Sequence, residues 1–89
     1  MLLCFDVGNT QIHGGVFDQD GLRCQFRKSS APLATTDELG IFFLAALREN
    51  GIDPRQIAAV AICSVVPAAL YSVRGAAEKY FRCEPFVLQ

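Results

Sequence analysis

Two stretches constrain the fold more than any other feature. "LLCFDV" (residues 2–7) and "IAAVAIC" (residues 57–63) are apolar at nearly every position, without the alternation of a half-buried strand. Both read as central strands of one sheet, covered on both faces. Each is too short for a buried helix, and turn residues or a proline follow close behind. A chain with two such strands, separated by segments of helical period, belongs to the α/β class.

The other elements fall around these two. After the first strand, "GNT" is turn chemistry, and "QIHGGVFD" (residues 11–18) returns as a second strand. The adjacent Gly14 and Gly15 would weaken it, which suggests a bulge or the close approach of another group. "DQDG" (residues 18–21) marks a second hairpin turn. Beyond it, Leu22, Cys24 and Phe26 alternate with Arg23, Gln25 and Arg27, as in a strand with one face in water. Thr35 and Glu38 have capping-box spacing, and Leu39, Phe42, Phe43, Ala46 and Leu47 follow at helical period until Asn50 and Gly51 stop the helix. Gly40 is a weak point inside this helix and marks close packing.

"DPRQ" (residues 53–56) has an Asp cap with proline behind it and predicts a short helical turn. Pro67 opens a second helix with Leu70, Val73, Ala77, Tyr80 and Phe81 inward, and "PFVL" at residues 85–88 reads as a last strand. The order is β-β-β-α-β-α-β, a mixed sheet. No helix follows the last strand, so the end at Gln89 reads as a truncation.

Several function classes lose ground on composition. The 89 residues are 52% hydrophobic and include seven phenylalanines, enough for a single folded core. The net charge is −1 and no basic run exceeds Arg27–Lys28, which argues against nucleic-acid binding and against a polybasic membrane anchor. Cys4, Cys24, Cys63 and Cys83 form no C-x-x-C, and His13 is the sole histidine, so no zinc site is spelled out. Spacing leaves a disulfide pair open; buried free thiols in a reducing cytoplasm fit better. The N-terminus lacks a basic segment, and the longest apolar stretch, "IAAVAICSVVPAAL", falls short of the ~20 residues of a bilayer span. These features predict a cytoplasmic chain.

The segment with chemical content is "FDVGNTQIHGGVFD" (residues 5–18). It lacks the GK of a P-loop, and it opens a strand where a dinucleotide fingerprint would open a helix. Two readings remain. Asp, Gly, Asn and Thr are ordinary turn residues, so a plain hairpin explains them. Alternatively, the turn presents N–H groups to phosphate oxygens: Gly8 allows close approach, and Asn9 and Thr10 add donors. Asp6 would repel a bare anion, so its carboxylate points to a metal–phosphate complex. His13 could add a donor at the edge.

The combination of D-x-G-N-T at residues 6–10 with S-V-V-P at residues 64–67, where a buried strand runs into a helix, resembles type III pantothenate kinase. That family sits in the actin/Hsp70/sugar-kinase superfamily. The resemblance implies the first part of a ribonuclease H-like (actin/Hsp70 ATPase-type) domain, with residues 1–89 as an N-terminal ATP-binding half-domain ahead of a second domain. It implies ATP binding by Asp6, Val7, Gly8, Asn9, Thr10, Gln11, Ile12 and His13, with Asp6 in the Mg²⁺–phosphate role. Many relatives carry Lys where this chain has His13. Ser64, Val65, Val66 and Pro67 would form the wall of the substrate cleft.

The implied reaction moves the γ-phosphoryl of ATP onto the primary hydroxyl of pantothenate, the first step of coenzyme A synthesis. Relatives take their general base from a downstream G-x-D-R motif, and further nucleotide and monovalent-cation (K⁺ or NH₄⁺) contacts from D-x-G-T. Neither motif occurs in these residues, so the base is expected beyond Gln89 and the isolated chain is not expected to turn over. A homodimer is implied for the complete protein. Two rival readings are another kinase or phosphatase of the superfamily, and a non-catalytic regulatory or binding module of the transcriptional-accessory type.

Overall fold

The first hairpin sets the frame. In the computed structural model, which describes residues 1–30 and 32–88, β1 (Leu2–Val7) pairs antiparallel with β2 (Gln11–Asp18), and β2 with β3 (Gly21–Ser29). Helix α1 (Thr36–Glu49), a short 3₁₀ turn (Pro54–Gln56), β4 (Ala59–Ser64), α2 (Pro67–Tyr80) and β5 (Phe86–Leu88) follow. The sheet order is β3-β2-β1-β4-β5, with β1/β4 and β4/β5 parallel. Parallel neighbours need a crossover, which α2 supplies between β4 and β5. The predicted element order and mixed sheet are both present.

Local chemistry accounts for the ends of the elements. The Thr35 hydroxyl accepts from the Glu38 N–H, and the Glu38 carboxylate accepts from the Thr35 N–H, so the predicted capping box starts α1. Gly51 sits just beyond α1 at φ 76°, a conformation that glycine reaches without steric cost. Asp53 caps the 3₁₀ turn with Pro54 at its first position.

Both helices pack on one face of the sheet. Leu3, Phe5, Val7, Ile12, Val16, Val60 and Ile62 form a single buried cluster with Leu39, Phe43 and Leu47 of α1 and Ala69, Val73, Ala76 and Ala77 of α2. The Phe5 and Phe43 rings lie 4.5 Å apart. Where Gly14 leaves a gap in β2, the Phe26 ring fills it, the close approach that the glycine pair implies. Gly40 likewise receives the Tyr80 ring between the helices. The stripe on α2 is rotated from the expected one: Ala69 and Ala76 are fully inside, and Leu70 is only half-buried.

Two expectations are corrected here. The strands β1 and β4 are central but not covered on both faces, because among the described residues both helices lie on the same side. Leu2, Asp6 and Cys63 are exposed on the open face, and Cys4 is half-buried there. Leu22 does not share a face with Cys24 and Phe26. The register slips between Val16 and Phe17, setting Leu22 opposite Phe17 and leaving Arg23 as the extra residue. A one-residue slip reverses side-chain parity, so Leu22 emerges on the open face, half exposed.

The four cysteines are free, yet none is fully buried and Cys63 is exposed. Partial burial still pushes the Cys4 and Cys24 thiols up. Among the described residues, no helix is long and apolar enough to cross a membrane.

Candidate functional site

The turn between β1 and β2 is closed by the Gly8 N–H donating to the Gln11 carbonyl at 3.0 Å. It is braced from outside by Ser30, whose hydroxyl donates to the Gly8 carbonyl at 2.9 Å. The Ser30 N–H also donates to the Thr10 carbonyl at 2.9 Å. The Gly8, Thr10 and Gln11 carbonyls are therefore occupied. The N–H groups and side chains of Asn9 and Thr10, both exposed, donate to nothing among the described residues. A turn with most of its acceptors consumed and its donors unpartnered favours an anion over a cation.

Asp6 stands just before this turn on the open face. The sheet register sets it opposite His13 of β2 and Cys63 of β4. Its carboxylate is exposed and has no ion-pair partner among the described residues. A lone carboxylate beside free N–H donors would oppose an anion unless a cation lies between them. No group of three or more His, Cys, Asp and Glu side chains is placed to hold a metal among the described residues. That donor set does not suit a cage made only of protein; it fits Mg²⁺, which takes one or two carboxylates and fills its shell with phosphate oxygens and water.

The His13 Nε2 lies 3.0 Å from the Gln25 Oε1. Together with Asp6, Gly15 and Gln25, His13 lines a shallow hollow of about 230 Å³ on the open face. Val7 and Ile12 have their side chains in the core, 1% and 3% exposed, so only their backbone is available to a ligand. The side chain of Gln11 is exposed, and its carbonyl is held by Gly8.

The second motif lies beside the first. Val7 pairs with Ser64 across β1 and β4, which brings the β1–β2 turn and the β4–α2 junction to one end of the sheet. Ser64 is buried, and its hydroxyl brackets the junction by accepting from the Val66 N–H at 3.1 Å and donating to the Val66 carbonyl at 3.2 Å. Its polar capacity is used locally, so it shapes the backbone. Val65 is 77% exposed, Val66 is the N-cap of α2 without a side-chain cap, and Pro67 begins the helix. With Leu70 these residues line an open hollow of about 280 Å³.

Ser30 and Cys63 belong to this neighbourhood and had no signal of their own in the sequence. A serine after a strand and a cysteine near the end of an apolar run are common, and only the pairing of β2 with β3 and of β1 with β4 brings them to the turn.

Comparison with known proteins bears on the whole chain. A sequence profile of the family described as "Type III pantothenate kinase" matches residues 2–89. The chain is 54% identical over 89 residues to a type III pantothenate kinase of Legionella pneumophila, covering 100% of this chain and 34% of that one. It is 48% identical over 88 residues to the type III pantothenate kinase of Elusimicrobium minutum, covering 99% of this chain and 34% of the relative. Among solved structures, a ROK hexokinase from Thermus thermophilus superposes with a TM-score of 0.71 at 18% identity, over 98% of this chain and 34% of the hexokinase. That likeness concerns the fold, and it agrees with the expected ribonuclease H-like architecture. The chain spans about a third of the length of the curated relatives it matches.

Proposed function

The chain belongs to the type III pantothenate kinase family, and from that premise we propose that it forms the ATP phosphate cradle of an enzyme that phosphorylates pantothenate. In this reading the β1–β2 turn receives the phosphates of ATP, with Gly8 permitting close approach and Asn9 and Thr10 donating. Val7, Gln11 and Ile12 contribute backbone, and His13 stands at the rim with Gln25. Asp6 holds Mg²⁺, which when bound neutralises charge on the phosphate oxygens. Ser64, Val65, Val66 and Pro67 wall the cleft beside the turn.

The observation that carries the proposal is the asymmetry of the turn. Ser30 takes up the Gly8 and Thr10 carbonyls and Gly8 that of Gln11, while the Asn9 and Thr10 donors are free next to an unpaired Asp6. A plain hairpin does not require that arrangement. Phosphoryl transfer asks the protein mainly for positioning and electrostatic stabilisation, and a rigid turn at the end of a central strand provides the first. Nothing in residues 1–89 is assigned as general base.

The wider reading takes residues 1–89 as an N-terminal half-domain, with the base, the pantothenate contacts, a K⁺ or NH₄⁺ site and the homodimer contact in a following domain of the complete protein. The test is to express the complete product of the reading frame that encodes these residues and to follow pantothenate-dependent ADP release. The expected result is turnover that Asp6→Asn lowers by a hundredfold or more, on the order of the loss seen when a group stabilising transition-state charge is removed. ATP-dependent turnover on a different acceptor, or full activity in the Asp6→Asn variant, would overturn the proposal.

A further inference from the structure

At the end of the sheet away from the β1–β2 turn, the C-terminal ends of both helices and the 3₁₀ turn enclose a groove of about 420 Å³ lined by Arg48, Arg55 and Arg82 with Leu44, Tyr80 and Phe81. The 14 residues of α2 separate this groove from the β4–α2 junction by about 21 Å of helix. We infer that the groove is a second binding site, for a small phosphorylated molecule with a flat apolar body. Volumes of this size are typical of small-molecule sites.

The charges are not balanced within the groove. Arg55 is tied to Asp53, its Nη2 at 2.8 Å from Oδ2. Neither Arg48 nor Arg82 is in an ion pair among the described residues. Three guanidinium groups therefore share a single hollow with Asp53 beside them, which is bonded to Arg55 and also feels the charge of Arg48. A planar guanidinium matches phosphate through two parallel N–H donors, and the half-buried side chains of Leu44, Pro54 and Tyr80 give an apolar body a surface to lie against.

Backbone strain is the independent observation. Arg82 has φ 54°, the only positive φ of a non-glycine residue among those described. It follows the last residues of α2, where the Cys83 N–H returns to the Ala77 carbonyl, and in such a cap glycine is the ordinary occupant. Arg48, in the last turn of α1, has the sign that a helix C-terminus favours, so the dipole alone explains it. The dipole does not explain why a side chain stands at the left-handed position 82. An arginine standing against its backbone preference is accounted for if its guanidinium has work to do in the groove.

The experiment titrates the 89-residue chain with phenyl phosphate at physiological salt, following the backbone amide and Arg Nε–Hε signals by NMR, with inorganic phosphate and phenol as separate probes. Saturable shifts at Arg48 and Arg82, tighter for phenyl phosphate than for either probe, support the site. Arg82→Gly is the decisive variant. It should weaken binding roughly tenfold or more, the effect of losing one charge-assisted hydrogen bond, while its melting temperature stays level or rises because the strain is gone. Shifts that never saturate, shifts centred on residues 8–13, unchanged binding in Arg82→Gly, or a lower melting temperature in that variant would each overturn the inference. Binding of Mg–ATP at the β1–β2 turn is a separate measurement, so one site can fail without the other.

Discussion

Replacing Gly40 by alanine should destabilise the protein, although alanine is the better helix former. In an open helix interior the change gains about 1 kcal/mol. Here an added Cβ would overlap the Tyr80 ring, with Cγ 2.6 Å away. A ring in contact along its edge cannot yield as a flexible chain end would. It must swing off α1, and overpacking of this kind costs about 1–3 kcal/mol. The swing also breaks the bond in which the Tyr80 hydroxyl donates to the Asp37 Oδ1 at 2.6 Å, worth about 0.5–1.5 kcal/mol. The net loss is about 0.5–3.5 kcal/mol, centred near 2, once the propensity gain is subtracted. For a domain of this size a loss of about 2 kcal/mol lowers Tm by roughly 8–16 °C. Thermal melts followed by circular dichroism measure it, and a double-mutant cycle identifies the cause. In a Tyr80→Ala background the clash is absent, so Gly40→Ala should there stabilise by about 1 kcal/mol. Stabilisation in the wild-type background, or the same loss in both, would refute the reasoning.

Two further outcomes follow from the packing and the charges. Phe43 is 0% exposed and touches the Phe5, Phe26 and Phe42 rings, so Phe43→Ala should cost about 3–5 kcal/mol in urea unfolding; a loss under about 1 kcal/mol would mean that the cluster is not the core. Acid should also destabilise the fold. Hydrogen bonds from Arg23 hold the Asp18 carboxyl below its usual value, those from Lys79 do so for Asp37, and the Thr35 backbone N–H does so for Glu38. The Arg55 side chain lowers Asp53 to about 2. Each folded-state value lies below the unfolded one, so the stabilisation is complete above the ordinary 3.8 (Asp) and 4.5 (Glu) and is lost as pH falls through the folded values. Melting temperatures measured from pH 5 down to pH 2 should therefore hold until about the ordinary Glu value of 4.5 and decline below it, and a flat profile would contradict the assignment.

The sequence exposed what is local. The caps at Thr35 and Asp53, the helix start at Pro67 and the turns at residues 8–10 and 18–21 are written in a few adjacent residues, so they were legible. The extent of β1 was legible for the same reason, although how its faces are covered was not. Coverage depends on where α1 and α2 settle, and the bulge at Arg23 reverses the parity of Leu22. In the site, Asp6 and the turn were legible because one short motif holds them. Ser30 was not, since it reaches Gly8 only through the pairing of β2 with β3. The Arg48–Arg55–Arg82 groove was equally hidden: its members come from three elements, and the strain at Arg82 is a property of the backbone.

The central claim is that the β1–β2 turn cradles the phosphates of Mg–ATP, and an amide NMR titration of the 89-residue chain tests it most directly. The account predicts saturable shifts confined to residues 6–13 and 64–66 that require Mg²⁺ and vanish in Asp6→Asn. Saturable binding that leaves those amides unmoved, or that Asp6→Asn does not weaken, would contradict it.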